Sequence, residues 1–415
     1  MRNALESFVA EKAVRLPEPF DGATVDTELL APLDPLVADA DLVALGELNH
    51  FVHEKSDFRL FFARYLLSRG WTNFAEELGR SDGVRVDRFY SSGDASELDR
   101  LPSFGHRTHL REDRDDRPTG LFRRSFETYP AELFRAEQGR FYRGLREAAG
   151  SARIRHFGLD IDGLPGGSYE DIADRLAPLA HDPRLSEFRR ALARVAGESA
   201  AAEASRIRSA CQHVPGLSAV VGEATAAETE ADLHALADSL DYITATYAAE
   251  TYDAIRPGMA LREGMMKKRF AEIRTLCRDN ERLVLMAHAF HLARNDAGIV
   301  SGGQTVGPGG RLTSSLGHHL AQELGLRIAS IWFVYGGGED SQPFGDLPRH
   351  ARYPRDTLNR ALAEFGASLF FMTGGNGPFS QPARIGHMYN ALIETRLAEQ
   401  ADAVFFLPSV TPLRK

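Results

Sequence analysis

Apolar positions along the chain follow two alternating patterns. Short, densely apolar runs occupy 42–45, 71–75, 153–159, 282–287, 327–335, 367–373 and 403–407. Runs of this length read as strands, most of them buried on both faces. Between them, apolar residues recur every three or four positions, the spacing of helices packed on one side. The clearest case is 53–69, where Phe58, Phe61, Phe62, Tyr65 and Leu66 share one face and Gly70 stands where a helix would stop. Strands alternating with helices predict an α/β fold with a mainly parallel sheet flanked by helices.

The rhythm changes after the third strand. From about 166 to 280 the sequence is alanine-rich, charged and helical in pattern, without an evident repeat. The expected organisation is an α/β core split into 1–165 and 281–415 by an inserted helical lobe at 166–280. Residues 1–40 read as an opening helix, a proline-containing loop and a second short helix. The segment 101–120 is a long polar connection, and its His106 and His109 read as solvated loop residues. The Gly-rich stretch 301–310 lacks the Lys-Ser/Thr of a phosphate-binding loop and reads as a flexible connection.

Composition narrows the function classes. The net charge of -9 over 415 residues argues against a nucleic-acid surface, which would be basic. No apolar run reaches membrane-spanning length, and the first twenty residues lack the apolar segment of a secretory signal. Cys211 and Cys277 form no disulfide framework or zinc spacing, so both read as inert buried thiols. A cytoplasmic protein is expected.

The candidate chemistry lies where strands end. The first run stops at Gly46, and Glu47, Asn49, His50, His53 and Glu54 follow within eight residues. The second run leads to Glu76 and Glu77, the third to Asp160, and the fourth to His288 and His291. In a parallel sheet these ends lie on one edge, where sites of α/β proteins form. Carboxylates that orient imidazoles, and imidazoles that take a proton from water, are the components of hydrolysis. The same donors suit zinc or manganese, so a divalent metal is the alternative use of the set. No G-x-S-x-G elbow follows a strand, and both cysteines fall in the helical segment, which argues against serine or cysteine nucleophiles.

In series, these motifs resemble the erythromycin esterase family. LVALGELNHFVHE at 42–54 is similar to its strand followed by G-E-x-x-H and a nearby Glu. NFAEE at 73–77, HFGLD at 156–160, LREGMM at 261–266 and VLMAHAFH at 284–291 run in the family's order. So do the stretch around His318–Gly338 and the closing ADAVFFLPSVTP. The resemblance implies a hydrolase of carboxylic esters or macrolactones, with no cofactor and with a polyketide- or macrolide-like small molecule as partner. It implies His50 as the base that activates water, Glu47 and Glu77 as groups that orient it, and His288 as the group facing the carbonyl oxygen. His291, Arg262, Glu54 and Asp160 are expected on the substrate side, and Arg262 pairs with one of the carboxylates or with substrate. Strand register decides between Glu76 and Glu77, and Glu77 is favoured. One departure stands out: the family's Asn after the first His of the last motif is Ala289 here. It leaves open a biosynthetic role for the same residues, in cyclisation, elimination or acyl transfer on a polyketide-like intermediate.

Overall fold

The computed structural model describes residues 2–415 apart from 102–118, 121–129, 163–166, 194, 196, 278–280, 303, 306–313, 344–348 and 376. His106 and His109 therefore lie outside the described residues. The core is an eight-stranded sheet. Its strands are β1 (Val14–Arg15), β2 (Leu42–Glu47), β3 (Asn73–Gly79), β4 (Arg155–Asp160), β5 (Leu283–His288), β6 (Ile328–Tyr335), β7 (Leu369–Met372) and, beyond a separate hairpin of β8 (Pro382–Gly386) with β9 (Leu392–Arg396), β10 (Ala403–Leu407). The order across the sheet is β1-β7-β10-β6-β2-β5-β3-β4. Six neighbouring strands, β10 to β4, run parallel; β7 pairs antiparallel with both β1 and β10. The fold is mixed α/β with a mainly parallel central sheet flanked by helices.

Alternation along each strand sorts its side chains between two cores. Val43, Leu45, Phe74, Val284 and Met286 face one apolar cluster, together with Phe58, Phe61 and Phe62 of α3 (Glu54–Ser68). Helices α1 (Arg2–Lys12) and α2 (Asp34–Asp39) precede α3, and Leu5, Val9 and Val37 join that cluster. Leu42, Ala44, Ala75, Leu283 and Leu285 face the other cluster, against Met266, Phe270 and Ile273. This period of two decides which polar residue at a strand end faces which helix.

Helix α3 departs from the amphipathic pattern in an informative way. Its aromatic face covers the sheet, yet Lys55, Ser56, Asp57 and Arg59 on other faces are buried as well. A later helix lies over them. Helices α4 (Arg80–Ser92) and α5 (Ala131–Ala149) follow, and α5 seats Gly144 against Leu60 and pairs Arg140 with Asp57 at 2.7 Å. The polar face of α3 is thus turned toward protein rather than water.

Between β4 and β5 the described chain contains helices and no strand. Its longer members are α6 (Gly167–Leu176), α7 (Ala200–Cys211), α8 (Glu223–Thr246) and α9 (Tyr252–Leu276). Helices α6 to α8 share an apolar core of their own that includes Ile172, Ile207, Leu233 and Leu240. Helix α9 instead contributes to the core under the sheet. Strands β8 and β9, part of a separate four-stranded sheet, leave no clear apolar run in the sequence, because they are short and carry Pro, Gly and charged residues. Among the described residues, no helix is long and apolar enough to cross a membrane.

Candidate active site

The ends of β2 and β5 meet directly. Glu47 is the register partner of His288, and the Ala289 amide donates to the Glu47 carbonyl at 2.8 Å. Beyond β2 the chain turns rather than entering a helix at once. The Asn49 amide donates to Tyr335 Oη at 3.0 Å and to Asp340 at 2.9 Å, while its carbonyl oxygen accepts from the Phe51 N–H at 2.9 Å. That turn brings His50 back over Glu47, with Nδ1 3.1 Å from Glu47 Oε1. An ionised carboxylate only accepts, so this contact places an imidazole proton on Nδ1 and, in the neutral ring, the lone pair on Nε2.

Glu47 is itself held from below. Arg59 of α3 donates to its two oxygens at 2.9 and 3.1 Å, and also pairs with Glu76. Burial pushes the Glu47 carboxyl up, but the Arg59 charge and the His50 contact outweigh it, leaving the group below the usual carboxylate range. Arg59 was not singled out in the sequence, since it lies amid an aromatic stripe that reads as core.

Period two separates the two glutamates of β3. Glu76 faces α3 and is closed in by Arg59, by Tyr142 Oη at 2.8 Å and by His156 Nε2 at 3.3 Å. Burial opposes its ionisation, yet the Arg59 charge and the His156 and Tyr142 contacts bring it down to about 2. Glu77 faces the other way, where β3 bulges against β4 between Glu76 and Gly79. Its Oε2 accepts the His288 N–H at 2.7 Å. Its Oε1 lies 2.6 Å from Arg262 Nη2, 3.3 Å from His291 Nε2 and 4.0 Å from His50 Nε2. Burial works against the charge on Glu77, but His291, His50 and Arg262 hold it well below the carboxylate range.

The helical segment reaches the site through α9. Arg262 pairs with Asp160 through Nε at 2.9 Å and with Glu77. The next residue, Glu263, pairs with His291 Nδ1 and accepts the Leu316 N–H at 3.0 Å. His291 is therefore gripped between two carboxylates. Burial disfavours its cation, but Glu263 and Glu77 raise it to about 10, so it is an imidazolium at neutral pH.

His288 behaves oppositely. Burial, with His50 beside it, holds it well below the usual histidine range, so it is neutral. Its Nδ1 accepts the Phe290 N–H at 3.2 Å, which places the remaining proton on Nε2. That Nε2 is buried and has no hydrogen-bond partner among the described residues. The His288 and His50 rings lie 5.0 Å apart. A proton acceptor and a neutral N–H donor thus stand side by side. Lys55, one helical turn before Arg59, adds a buried ammonium 4.4 Å from the Phe134 ring, which burial and the nearby Arg59 bring down to about 8.

The eight expected site residues therefore divide. Glu47, His50, Glu77, His288, His291, Arg262 and Asp160 come together. Glu54 does not meet the substrate side as expected: both its oxygens bind Thr411, at 2.8 Å to the amide and 2.6 Å to Oγ1. Of the two uses open to Arg262, the structure shows pairing with carboxylates, Asp160 and Glu77, and Asp160 is thereby bound to a protein group. His53 pairs with Glu137 and Asp57, away from Glu47. Ala289 is fully buried, and a Cβ on Gly46 would approach its Cα and Cβ to 3.1 and 3.3 Å, so this spot is filled by close packing of two strand ends.

Glu47, His50 and Glu77 each offer one ligand atom within 4.8 Å of one another, the only such group of His, Cys, Asp and Glu among the described residues. The donor set fits a divalent ion poorly in its present state. Arg59 occupies both oxygens of Glu47, while Arg262 and the His288 amide occupy those of Glu77. Two guanidinium groups would have to yield, and His50 would have to surrender its bond to Glu47 or bind through Nε2.

This assembly sits in a chain that belongs to the erythromycin esterase family, hydrolases of esters, whose family model matches residues 67–410. The match begins after Glu47 and His50, so the structure, through register and contacts, joins those two to the matched region. Among solved structures, a Bacillus cereus protein aligns over the whole of both chains with a TM-score of 0.69 and 14% identity. A succinoglycan biosynthesis protein aligns over 99% of this chain and 97% of its own, with a TM-score of 0.65 and 16% identity. A histidine-to-asparagine mutant of the erythromycin esterase EreC, in its open conformation, covers 96% of this chain and 98% of its own at 18% identity and a TM-score of 0.62. No protein of curated function matches the sequence.

Proposed function

We propose that the protein hydrolyses a carboxylic ester or macrolactone with water activated by His50, without a metal or cofactor. The observation that carries this reading is the pairing of His50, oriented through Nδ1 by Glu47, with the neutral N–H of His288 beside it. His50 Nε2 takes a proton from water as the water oxygen adds to the carbonyl carbon. The carbonyl electron pair moves to oxygen, where the His288 Nε2–H donates to the oxyanion. Collapse breaks the bond to the alcohol oxygen, which takes the proton back from His50. An acid and an alcohol result, or one hydroxy acid from a lactone. Glu77, with Oε1 4.0 Å from His50 Nε2, favours the transient imidazolium. Arg59, Arg262 and His291 keep Glu47 and Glu77 charged and in place.

The substrate proposed is a neutral, polyketide- or macrolide-like small molecule. The test is mass spectrometry of a panel of macrolides, simple esters and polyketide lactones, incubated with wild type and with His50→Ala. Water added to a panel member by wild type alone is the expected result. Product of unchanged mass would instead favour cyclisation, and folded protein that leaves the whole panel untouched would count against the reading. Activity that survives a chelator in protein purified without added metal is expected; loss restored by zinc or manganese would assign Glu47, His50 and Glu77 to a metal instead.

A further inference from the structure

A third imidazole stands beside this pair. His387 follows strand β8 and lies outside every motif described above. Its ring is 6.4 Å from that of His288 and 4.9 Å from Phe290, which in turn is 4.9 Å from His288. The residue is 7% exposed, and its Nδ1 is buried without a hydrogen-bond partner among the described residues. Burial alone pushes its ring down to about 4, so it is neutral at physiological pH.

The backbone that presents His387 is unusual. Tyr389 and Asn390 have φ of 65° and 54°, consecutive left-handed residues that are not glycine. They are held there by polar contacts. The Asn390 amide donates to the His350 carbonyl at 3.0 Å, and its oxygen accepts the Arg352 N–H at 2.9 Å. The Met388 N–H donates to the Leu48 carbonyl at 3.0 Å, which ties this loop to the turn carrying His50. Tyr353 Oη caps the His387 carbonyl at 3.2 Å. The loop is fixed at both ends, and yet the buried Nδ1 of its imidazole has no hydrogen-bond partner among the described residues.

Two neighbouring buried imidazoles, each with an unpaired nitrogen, indicate a ligand with two matching polar groups. We propose that His288 and His387 together recognise a hydroxy ester: His288 Nε2–H meets the carbonyl oxygen, and the His387 ring meets a hydroxyl on the acyl chain. A hydroxyl both donates and accepts, so it pairs with either tautomer of a neutral imidazole. A carboxylate or ammonium would find no counter-charge on His387. The acyl side follows from the order of the rings. The leaving oxygen takes its proton from His50, and His387 lies on the His288–Phe290 side, with no ring contact to His50 among the described residues.

The inference rests on the hydrolase reading for its substrate, and the test separates the two. The kcat/KM of p-nitrophenyl β-hydroxybutyrate is compared with that of p-nitrophenyl butyrate. Wild type favours the hydroxylated ester by about tenfold or more, since a site built for a hydroxyl disfavours the analogue lacking it. His387→Val brings the ratio close to one, and His387→Gln, which keeps a donor and an acceptor, restores part of it. A ratio cancels any loss of folded protein. An identical ratio in wild type and His387→Val overturns the inference. If wild type hydrolyses neither ester, the hydrolase reading is decided by the panel above, and binding decides this one. Ring-nitrogen NMR is then followed with β-hydroxybutyramide and butyramide, with resonances assigned from the His387→Val spectrum. His387 shifting with the hydroxylated amide and not with butyramide supports the inference; no difference between the two overturns it.

Discussion

Glu76 and Glu77 are consecutive on one strand, yet they belong to unlike regions. The region around Glu76 is closed on its carboxylate: Arg59, Tyr142 and His156 surround it, and Arg59 passes the contact on to Glu47. The region around Glu77 opens onto imidazoles whose hydrogen bonds are unfinished, His288 Nε2 and His387 Nδ1. A buried carboxylate ringed by a guanidinium, a phenol and an imidazole of the fold itself is scaffold, because its oxygens are already engaged. On the Glu77 side the orphaned nitrogens lie next to the proposed base, where a substrate would complete them. The two regions share a strand, and Arg59 reaches from Glu76 to the Glu47 that orients His50, so the scaffold sets the charge state under which the open side works.

This contrast can be broken in order of expected effect. His50→Ala lowers turnover of any hydrolysed ester by about a hundred- to ten-thousand-fold, as loss of a general base does, while the thermal midpoint stays within a few degrees. Arg59→Leu acts on the closed side and shows up as instability: stranding Glu47 and Glu76 costs about 3–5 kcal/mol by denaturant titration, with activity falling in parallel. His288→Phe removes the carbonyl donor and lowers kcat about a hundredfold or more with a smaller change in KM. If KM alone rose, His288 would contact the ground state only.

A pH titration sharpens the same contrast through His291. Its folded value of about 10 lies above the ordinary 6.5, so the imidazolium stabilises the fold. That contribution is fully present below about 6.5 and is lost as pH rises through about 10. Denaturant midpoints should therefore fall across this window in wild type and flatten there in His291→Gln. The smallest effect belongs to Glu54→Gln, which weakens a carboxylate hold on Thr411 and costs about 1 kcal/mol with little change in turnover. A large loss of turnover would return Glu54 to the site.

The parts legible in the sequence are those with a local signature. The strands carrying Glu47, Glu77, Asp160 and His288 were visible as apolar runs, and parallel order gathers their ends on one edge. Arg59 was hidden because a buried guanidinium between aromatics leaves no periodic trace; its meaning lies in Glu47 and Glu76, which are remote along the chain. Glu54 misled for the opposite reason. It sits four residues from His50, but α3 begins there and turns it toward Thr411. His387 carried no signal, since its loop takes left-handed conformations at Tyr389 and Asn390 that neither residue type announces. Glu76 and Glu77 could not be told apart until α3 and α9 were known to cover opposite faces.

The grip of Arg262 on Glu77 joins residues separated by 185 positions, with most of the helical segment between them. Loop-closure entropy grows only with the logarithm of loop length, about 0.6 kcal/mol for each doubling. So long an excursion is thermodynamically inexpensive, and that stretch can lengthen, shorten or diversify with little penalty to the finished protein. The burden falls on kinetics. A contact between residues so far apart raises the mean sequence separation of contacts, and folding slows as that separation grows.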